Sequence, residues 1–72
     1  MEETLQVLRG LMVERGYDQQ RLADRLGMAR VTLSRKLNGQ TSFSYEEITE
    51  LADVLGVSMA EIIRRAEERT QQ

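Results

Sequence analysis

The sequence predicts an all-α protein, a compact five-helix domain, and three observations point to this class. The long apolar patterns all run at helical spacing, and none of them alternates over the length of a strand. Capping residues and glycines divide these patterns into short segments, as expected of short helices. The chain has 72 residues, of which 40% are apolar and only three are aromatic. This composition suits a single domain whose small core is filled by aliphatic side chains.

The composition excludes several classes of function. The chain contains no Cys and no His, so disulfides, Cys/His zinc sites and imidazole-assisted nucleophiles are excluded. No apolar run approaches the roughly 18 residues that span a bilayer. The first segment is acidic, which argues against a signal peptide. We therefore expect a cytoplasmic protein that is not an enzyme, holds no metal or cofactor and does not contact a membrane.

The first helix is indicated by apolar residues at helical spacing, namely Leu5, Leu8, Leu11 and Met12. Each later helix follows a capping residue that has an apolar residue before it. These capping residues are Asp18, Ala29, Ser44 and Ser58, and Glu47 and Glu61 complete two capping boxes after the serines. The predicted helices span about residues 2–15, 19–26, 30–37, 45–55 and 59–68, and residues 69–72 are expected to fray.

Residues 18–39, which read DQQRLADRLGMARVTLSRKLNG, predict a helix-turn-helix. Gly27 supplies the left-handed residue of a sharp turn between two short helices. Ala23 is small enough to let these helices cross closely. Leu33 and Leu37 lie on one face of the second helix, because they are four residues apart. The first helix would therefore brace the second, whose opposite face would project outward.

The outward face of the second helix carries side chains that can recognise base edges in a major groove. Arg can bond guanine in a bidentate way, Val and Thr can contact the thymine methyl, and Ser or Thr can bond either edge. These candidate base-reading residues are Arg30, Val31, Thr32, Ser34 and Arg35.

The pattern resembles the lambda-repressor-like helix-turn-helix family, the Cro/cI or XRE type of phage and bacterial regulators. The resemblance covers about residues 4–66. It is carried by Gln19, Leu22-Ala23, Gly27, the LSRKLNG stretch from Leu33 to Gly39, and the LADVLGVS stretch from Leu51 to Ser58. Two departures are visible: Ala29 replaces the Ser or Thr common at that cap, and Lys36-Leu37 replaces a frequent aromatic–Glu pair.

The resemblance implies a transcriptional regulator that binds a double-stranded DNA operator and represses by occupancy, in the bacterial cytoplasm near the nucleoid. It implies base reading by the five residues of the outward face. It also implies phosphate contacts from the side chains of Gln19 and Lys36, and from the amides and short polar side chains of Asn38, Gly39, Gln40 and Thr41. A homodimer through Met59 and Ile63 of the last helix is a further expectation, and the operator sequence is not predictable.

The distribution of charge supports this hypothesis although the whole chain carries a net charge of −2. Residues 18–40 contain five basic and two acidic side chains, whereas residues 41–72 contain three basic and seven acidic ones. The positive excess therefore coincides with the proposed DNA-reading segment. The acidic half leaves an alternative open, a protein-interaction module such as an antitoxin or antirepressor. A DNA-binding fragment of a longer regulator is a third reading.

Overall fold

A computed structural model describes residues 2–71, and within that range every regular element is an α-helix. The five helices are α1 (Glu2–Glu14), α2 (Gln19–Leu26), α3 (Arg30–Leu37), α4 (Tyr45–Leu55) and α5 (Met59–Thr70). This order confirms the predicted all-α class and the predicted helix positions. No helix in the described range is long and apolar enough to cross a membrane.

The predicted caps largely explain where the helices begin. The Asp18 carboxylate accepts a hydrogen bond from the Arg21 N–H at 2.8 Å, and Ala29 precedes α3 without a side-chain cap. Ser44 and Glu47 form the reciprocal bonds of a complete capping box. The box expected at Ser58 is only half formed, because Glu61 donates its N–H to the serine hydroxyl while its carboxylate bonds Arg64 and Arg65.

The last helix is longer than predicted. Residues 69–72 were expected to fray, yet α5 continues through Thr70, and Gln71 follows as its C-cap. Two side chains explain the extension: Arg69 donates to the Gln6 Oε1 of α1 at 2.9 Å, and Thr70 donates to the Ala66 carbonyl. Gln72 lies outside the described residues.

The helices enclose one aliphatic core. α5 packs along α1, and α2 contacts both α3 and α4. Every buried side chain in the described range is apolar. The fully buried members, which are contributed by all five helices, are Leu8, Leu11, Leu22, Leu33, Leu37, Leu51, Leu55 and Ile62. Because Leu33 and Leu37 are among them, the core fixes which face of α3 turns outward.

Candidate nucleic-acid interface

The turn between α2 and α3 has the geometry of a helix-turn-helix. Gly27 ends α2 in the left-handed conformation, with φ at +69°, and its N–H donates to two carbonyls in the last turn of that helix. Only Met28 and Ala29 then separate it from α3. Leu22 and Ala23 of α2 and Leu33 of α3 are all completely buried. The small Ala23 side chain is therefore part of the core on the packed side of α2, which contacts both α3 and α4.

The outward side of α3, which we call the recognition surface, consists of Arg30, Val31, Thr32, Ser34 and Arg35. The two arginines and Val31 are exposed, while the two hydroxyl residues are half-buried. Val31 is 56% exposed, so its methyl groups are accessible on this side of α3. The structure thus brings the five predicted base-reading residues together on one helix surface.

Arg30 and Arg35 are distinguished by having no partner within residues 2–71. Nearly all the other arginine side chains are bonded to a neighbour in the chain. Arg21 donates to the Gly16 carbonyl, and Arg25 donates to the Tyr17 hydroxyl at 3.0 Å. In the described range only Arg15 shares the unbonded state, and it lies beside Gly56 at the far end of α4. The recognition surface therefore holds two guanidinium groups with all donors available.

The turn after α3, residues 38–41, folds back onto the end of that helix. Gln40 and Thr41 donate their N–H groups to the Arg35 carbonyl at 2.9 and 3.4 Å, and Gly39 donates its N–H to the Lys36 carbonyl. Each of these amides therefore already donates within the chain in this structure, and the predicted phosphate contacts of residues 38–41 stay predictions. The exposed side chains of Asn38, Gln40 and Thr41 are the groups that stay accessible.

Lys36 occupies a different environment from the arginines of α3. Its Nζ donates to the Ser42 carbonyl at 3.0 Å and to the Glu47 Oε1 at 3.1 Å. The ammonium also lies 5.9 Å from the centre of the Phe43 ring. The sequence predicted a phosphate contact for Lys36, and that prediction stays untested, but the structure directs this ammonium toward the loop that leads into α4.

Gln19 is the first residue of α2, directly after the Asp18 cap. Its side chain is half-buried and forms no hydrogen bond with another described residue. It belongs to a different element from the rest of the predicted phosphate-contacting set. The structure therefore places it near the start of the helix-turn-helix with its amide free, and its predicted role stays a prediction.

Two residues outside the predicted site also touch it. Arg9 of α1 approaches the Asn38 side chain, with 3.5 Å between Nη1 and Oδ1, and it pairs with Glu2 at 3.4 Å. Glu47 joins the start of α4 to α3 through Lys36. The capping pattern identified Glu47 as a structural residue. No local signal could predict its partner on α3, because that contact bridges eleven positions along the chain.

The environment of Glu47 favours its ionised form. The hydrogen bond from the Ser44 N–H is the main cause that lowers the pKa of Glu47 below its ordinary value of 4.5, and the bond from Lys36 lowers it further. Within residues 2–71 no cluster of carboxylates has an arrangement that could hold a metal ion. The candidate site on α3 and its following turn therefore combines cations, uncharged polar side chains and the exposed Val31.

No curated protein and no solved structure shows significant similarity to the chain. A family model described as Helix-turn-helix matches residues 8–62, which is well over half of the chain. The match includes α2, the turn at Gly27 and α3, and it extends through α4 into α5. The chain belongs to the XRE-type, lambda-repressor-like helix-turn-helix family, and it is a DNA-binding transcription regulator of that type.

Proposed function

We propose that the protein is a sequence-specific repressor or Cro-like regulator, of phage or bacterial origin, that inserts α3 into the major groove of its operator. The observation that carries this proposal is the pair of unpartnered guanidinium groups on the recognition surface. Charged groups with every donor free are suited to bidentate bonds with guanine O6 and N7. Val31 and Thr32 lie beside them and offer methyl groups for contact with thymine.

The surrounding residues support the same orientation on DNA. Asn38, Gln40 and Thr41 follow the recognition surface directly and carry exposed polar side chains. Gln19 would contact a phosphate from the start of α2. Gly39, with φ at +82°, would let the turn pass close to the sugar-phosphate backbone of the DNA. Phosphate contacts of this kind set the register of the protein on the duplex, whereas the α3 side chains read the bases.

Repression would follow from occupancy, since a bound protein blocks access of the polymerase to the promoter. The site of action would be the bacterial cytoplasm, at the nucleoid. Two-fold symmetry would present two α3 helices to half-sites one turn of DNA apart. Ile63, which is 53% exposed on α5, and the half-buried Met59 would form the contact between the two copies. Sedimentation velocity tests this pairing, and a monomer at all concentrations up to the solubility limit would exclude it.

Titration of the protein with random-sequence duplex over a series of salt concentrations tests the DNA-binding mode. The logarithm of the association constant should fall linearly with the logarithm of salt concentration, by about 0.9 for each phosphate neutralised. Replacing both Arg30 and Arg35 with Ala should change this slope little, because the slope counts phosphate contacts and these two side chains are proposed to contact bases. If the protein bound no duplex in a salt-dependent manner, the proposed DNA-binding mode would be contradicted.

A second candidate function uses the acidic half of the chain, as an antitoxin or antirepressor would. Glu46, Glu50 and Asp53 are exposed along the outer side of α4, and their carboxylates bond no other described residue. A basic partner protein could bind that surface. Stoichiometric co-purification of a basic protein, lost when the three carboxylates are replaced by amides, would favour this candidate. Retention of that partner by the neutral variant would count against it.

A further inference from the structure

Lys36, Ser42, Ser44 and Glu47 form a connected group that we call the loop clamp. The Lys36 Nζ donates to the Ser42 carbonyl at 3.0 Å and to the Glu47 Oε1 at 3.1 Å. The same Oε1 accepts the Ser44 N–H at 2.8 Å, and the Glu47 N–H donates to the Ser44 hydroxyl at 3.0 Å. One side chain of α3 is thereby bonded to both the loop and the first turn of α4.

The clamp is more sheltered than the other ion pairs of residues 2–71. The Lys36 side chain is 14% exposed and the Glu47 side chain is 30% exposed, whereas those of the next most sheltered pair, Arg65–Glu61, are 32% and 30% exposed. Phe43 is buried, and the ammonium lies 5.9 Å from the centre of its ring. A partly desolvated pair with additional hydrogen bonds is held more firmly than an exposed pair, since water and salt screen it less.

The loop between α3 and α4 is attached to the helices at two places. At its start, Gln40 and Thr41 donate their N–H groups to the Arg35 carbonyl. Toward its end, the hydrogen bonds to α3 and α4 all pass through the clamp. Without Lys36 the loop would keep its first attachment to α3, the buried Phe43 ring and the Ser44–Glu47 capping box, but Ser42 and α4 would lose their bonds to α3. Its polar residues would then sample more conformations.

We propose that Lys36 is a positioning residue for DNA binding: together with Glu47 it fixes the loop of residues 38–44 against the recognition helix. This inference rests on the proposed DNA-binding function and replaces the phosphate contact expected for Lys36. An ammonium has three N–H donors, and two of those of Lys36 are used inside the protein. A loop already held in its binding conformation spends less free energy on ordering when DNA binds.

Glu47→Gln with Glu46→Gln as its control separates positioning from simple electrostatics. Gln at position 47 can still close the capping box, so the substitution removes mainly the charge that faces Lys36. Glu46 is one residue away, exposed, and bonded through its side chain to no other described residue. If charge alone matters, both substitutions should strengthen binding to the polyanion by similar amounts. The clamp predicts instead that Glu47→Gln weakens operator binding, by about threefold to tenfold, as expected for coupled neighbours.

Lys36→Met is the second variant in this DNA-binding test. Met keeps about the same side-chain length and removes the N–H donors. The clamp predicts weaker binding with an unchanged salt slope, and a Lys36→Met/Glu47→Gln double variant no weaker than Lys36→Met alone. A direct phosphate contact predicts a salt slope smaller by about 0.9 and an affinity increase for Glu47→Gln equal to that of Glu46→Gln. That pair of results would overturn the proposal.

Hydrogen exchange in the free protein tests the clamp independently of DNA. Lys36→Met should accelerate exchange of the Ser44 amide, whose acceptor Glu47 is bonded by Lys36, while the Gln40 and Thr41 amides bonded to Arg35 and the amides of the core helices keep wild-type rates. Unchanged exchange in the loop would overturn the clamp. If the wild-type protein bound no duplex, the proposed function would fail, and accelerated loop exchange would still establish that Lys36 holds the loop.

Discussion

Arg30 and Arg35 are the residues on which DNA recognition is expected to depend most strongly. Both are exposed on α3, and neither guanidinium donates a hydrogen bond to another described residue. Their positions follow from the sequence, because burial of Leu33 and Leu37 leaves only one side of a short helix free. Their unbonded state does not follow from the sequence, since it depends on which carboxylates the fold brings within reach.

Arg35→Ala should weaken operator binding by on the order of 1–3 kcal/mol and relax the preference at one base position. Arg15→Ala is the matched control, because it removes the same charge from an exposed, unbonded side chain beside Gly56. That control should cause a smaller loss, without a change in base preference, through long-range electrostatics alone. Fluorescence anisotropy with the operator and its single-base variants measures both effects. Equal losses for the two variants would contradict direct readout by Arg35.

The positions of the candidate site residues follow from the sequence on the regular helix, whereas their hydrogen-bond partners after the helix do not. The five residues of the recognition surface lie on the exposed side of α3. Successive residues of a helix are rotated by about 100°, so the buried Leu33 and Leu37 determine which residues face outward. Lys36 and the amides of residues 39–41 were assigned to phosphate, yet they form bonds inside the protein. Such bonds depend on the path of the loop and on Glu47, which no local pattern describes.

Capping residues mainly determine where the helices begin, which is why the helix boundaries were predictable from the sequence. Asp18, Ser44 and Ser58 each accept a backbone N–H from the first turn of a helix. The two differences both involve side-chain partners outside the capping motifs. The Glu61 carboxylate accepts hydrogen bonds from Arg64 and Arg65 instead of completing the Ser58 capping box, and Arg69 extends α5 by donating to Gln6 of α1. Capping rules omit such competing partners.

Replacing two glycines with Ala should have opposite effects on stability, because the two glycines occupy different backbone conformations. Gly27 has φ at +69° with no atom within 4 Å of an added Cβ, so the cost is conformational alone. Gly27→Ala should lower the free energy of unfolding by about 1–2 kcal/mol. Gly10 lies inside α1, and only the Arg69 guanidinium is near an added Cβ, at 4.0 Å. Gly10→Ala should raise that free energy by about 0.5–1 kcal/mol.

Urea unfolding of both variants and the wild type measures the two changes. Circular dichroism of the folded state verifies that α1 and α2 are retained. A destabilised Gly10→Ala variant would show that α1 needs close approach of another element at this position. A stable Gly27→Ala variant would show that the turn does not require the left-handed conformation.

The charge network of α5 predicts how stability depends on pH. Hydrogen bonds from Arg64 and then Arg65 lower the pKa of Glu61 below its ordinary value of 4.5. A carboxylate with a lowered pKa in the folded state stabilises that state fully above its ordinary pKa, and this contribution disappears as pH falls through the folded value. Stability should therefore be insensitive to this group near neutral pH and should decrease below about pH 4.5.

Glu61→Gln should make the free energy of unfolding less dependent on pH in this acidic window. Glu67→Gln is the control, because the Glu67 carboxylate bonds no other described residue and lies on the same helix. Urea unfolding from neutral to acidic pH measures the slopes. Identical slopes for Glu61→Gln and the wild type would contradict a stabilising role for the two arginine contacts.

At the scale of the whole molecule, the fold separates a basic segment from an acidic one. Residues 18–40, with five basic and two acidic side chains, contain the helix-turn-helix, whereas α4 and α5 carry the acidic excess. The net charge of −2 therefore limits general attraction to DNA without removing positive charge from α3. Affinity for the correct sequence should then depend on contacts by the recognition surface more than on bulk charge.

The central claim is that this surface reads a defined DNA sequence, and selection of bound duplexes from a random pool tests it most directly. The wild-type protein at moderate salt should enrich one short motif. If the α5 pairing holds, the motif should recur as an inverted repeat with centres about one helical turn, roughly 10 base pairs, apart. A pool that keeps its starting base composition after repeated rounds, although the protein is folded, would contradict the claim.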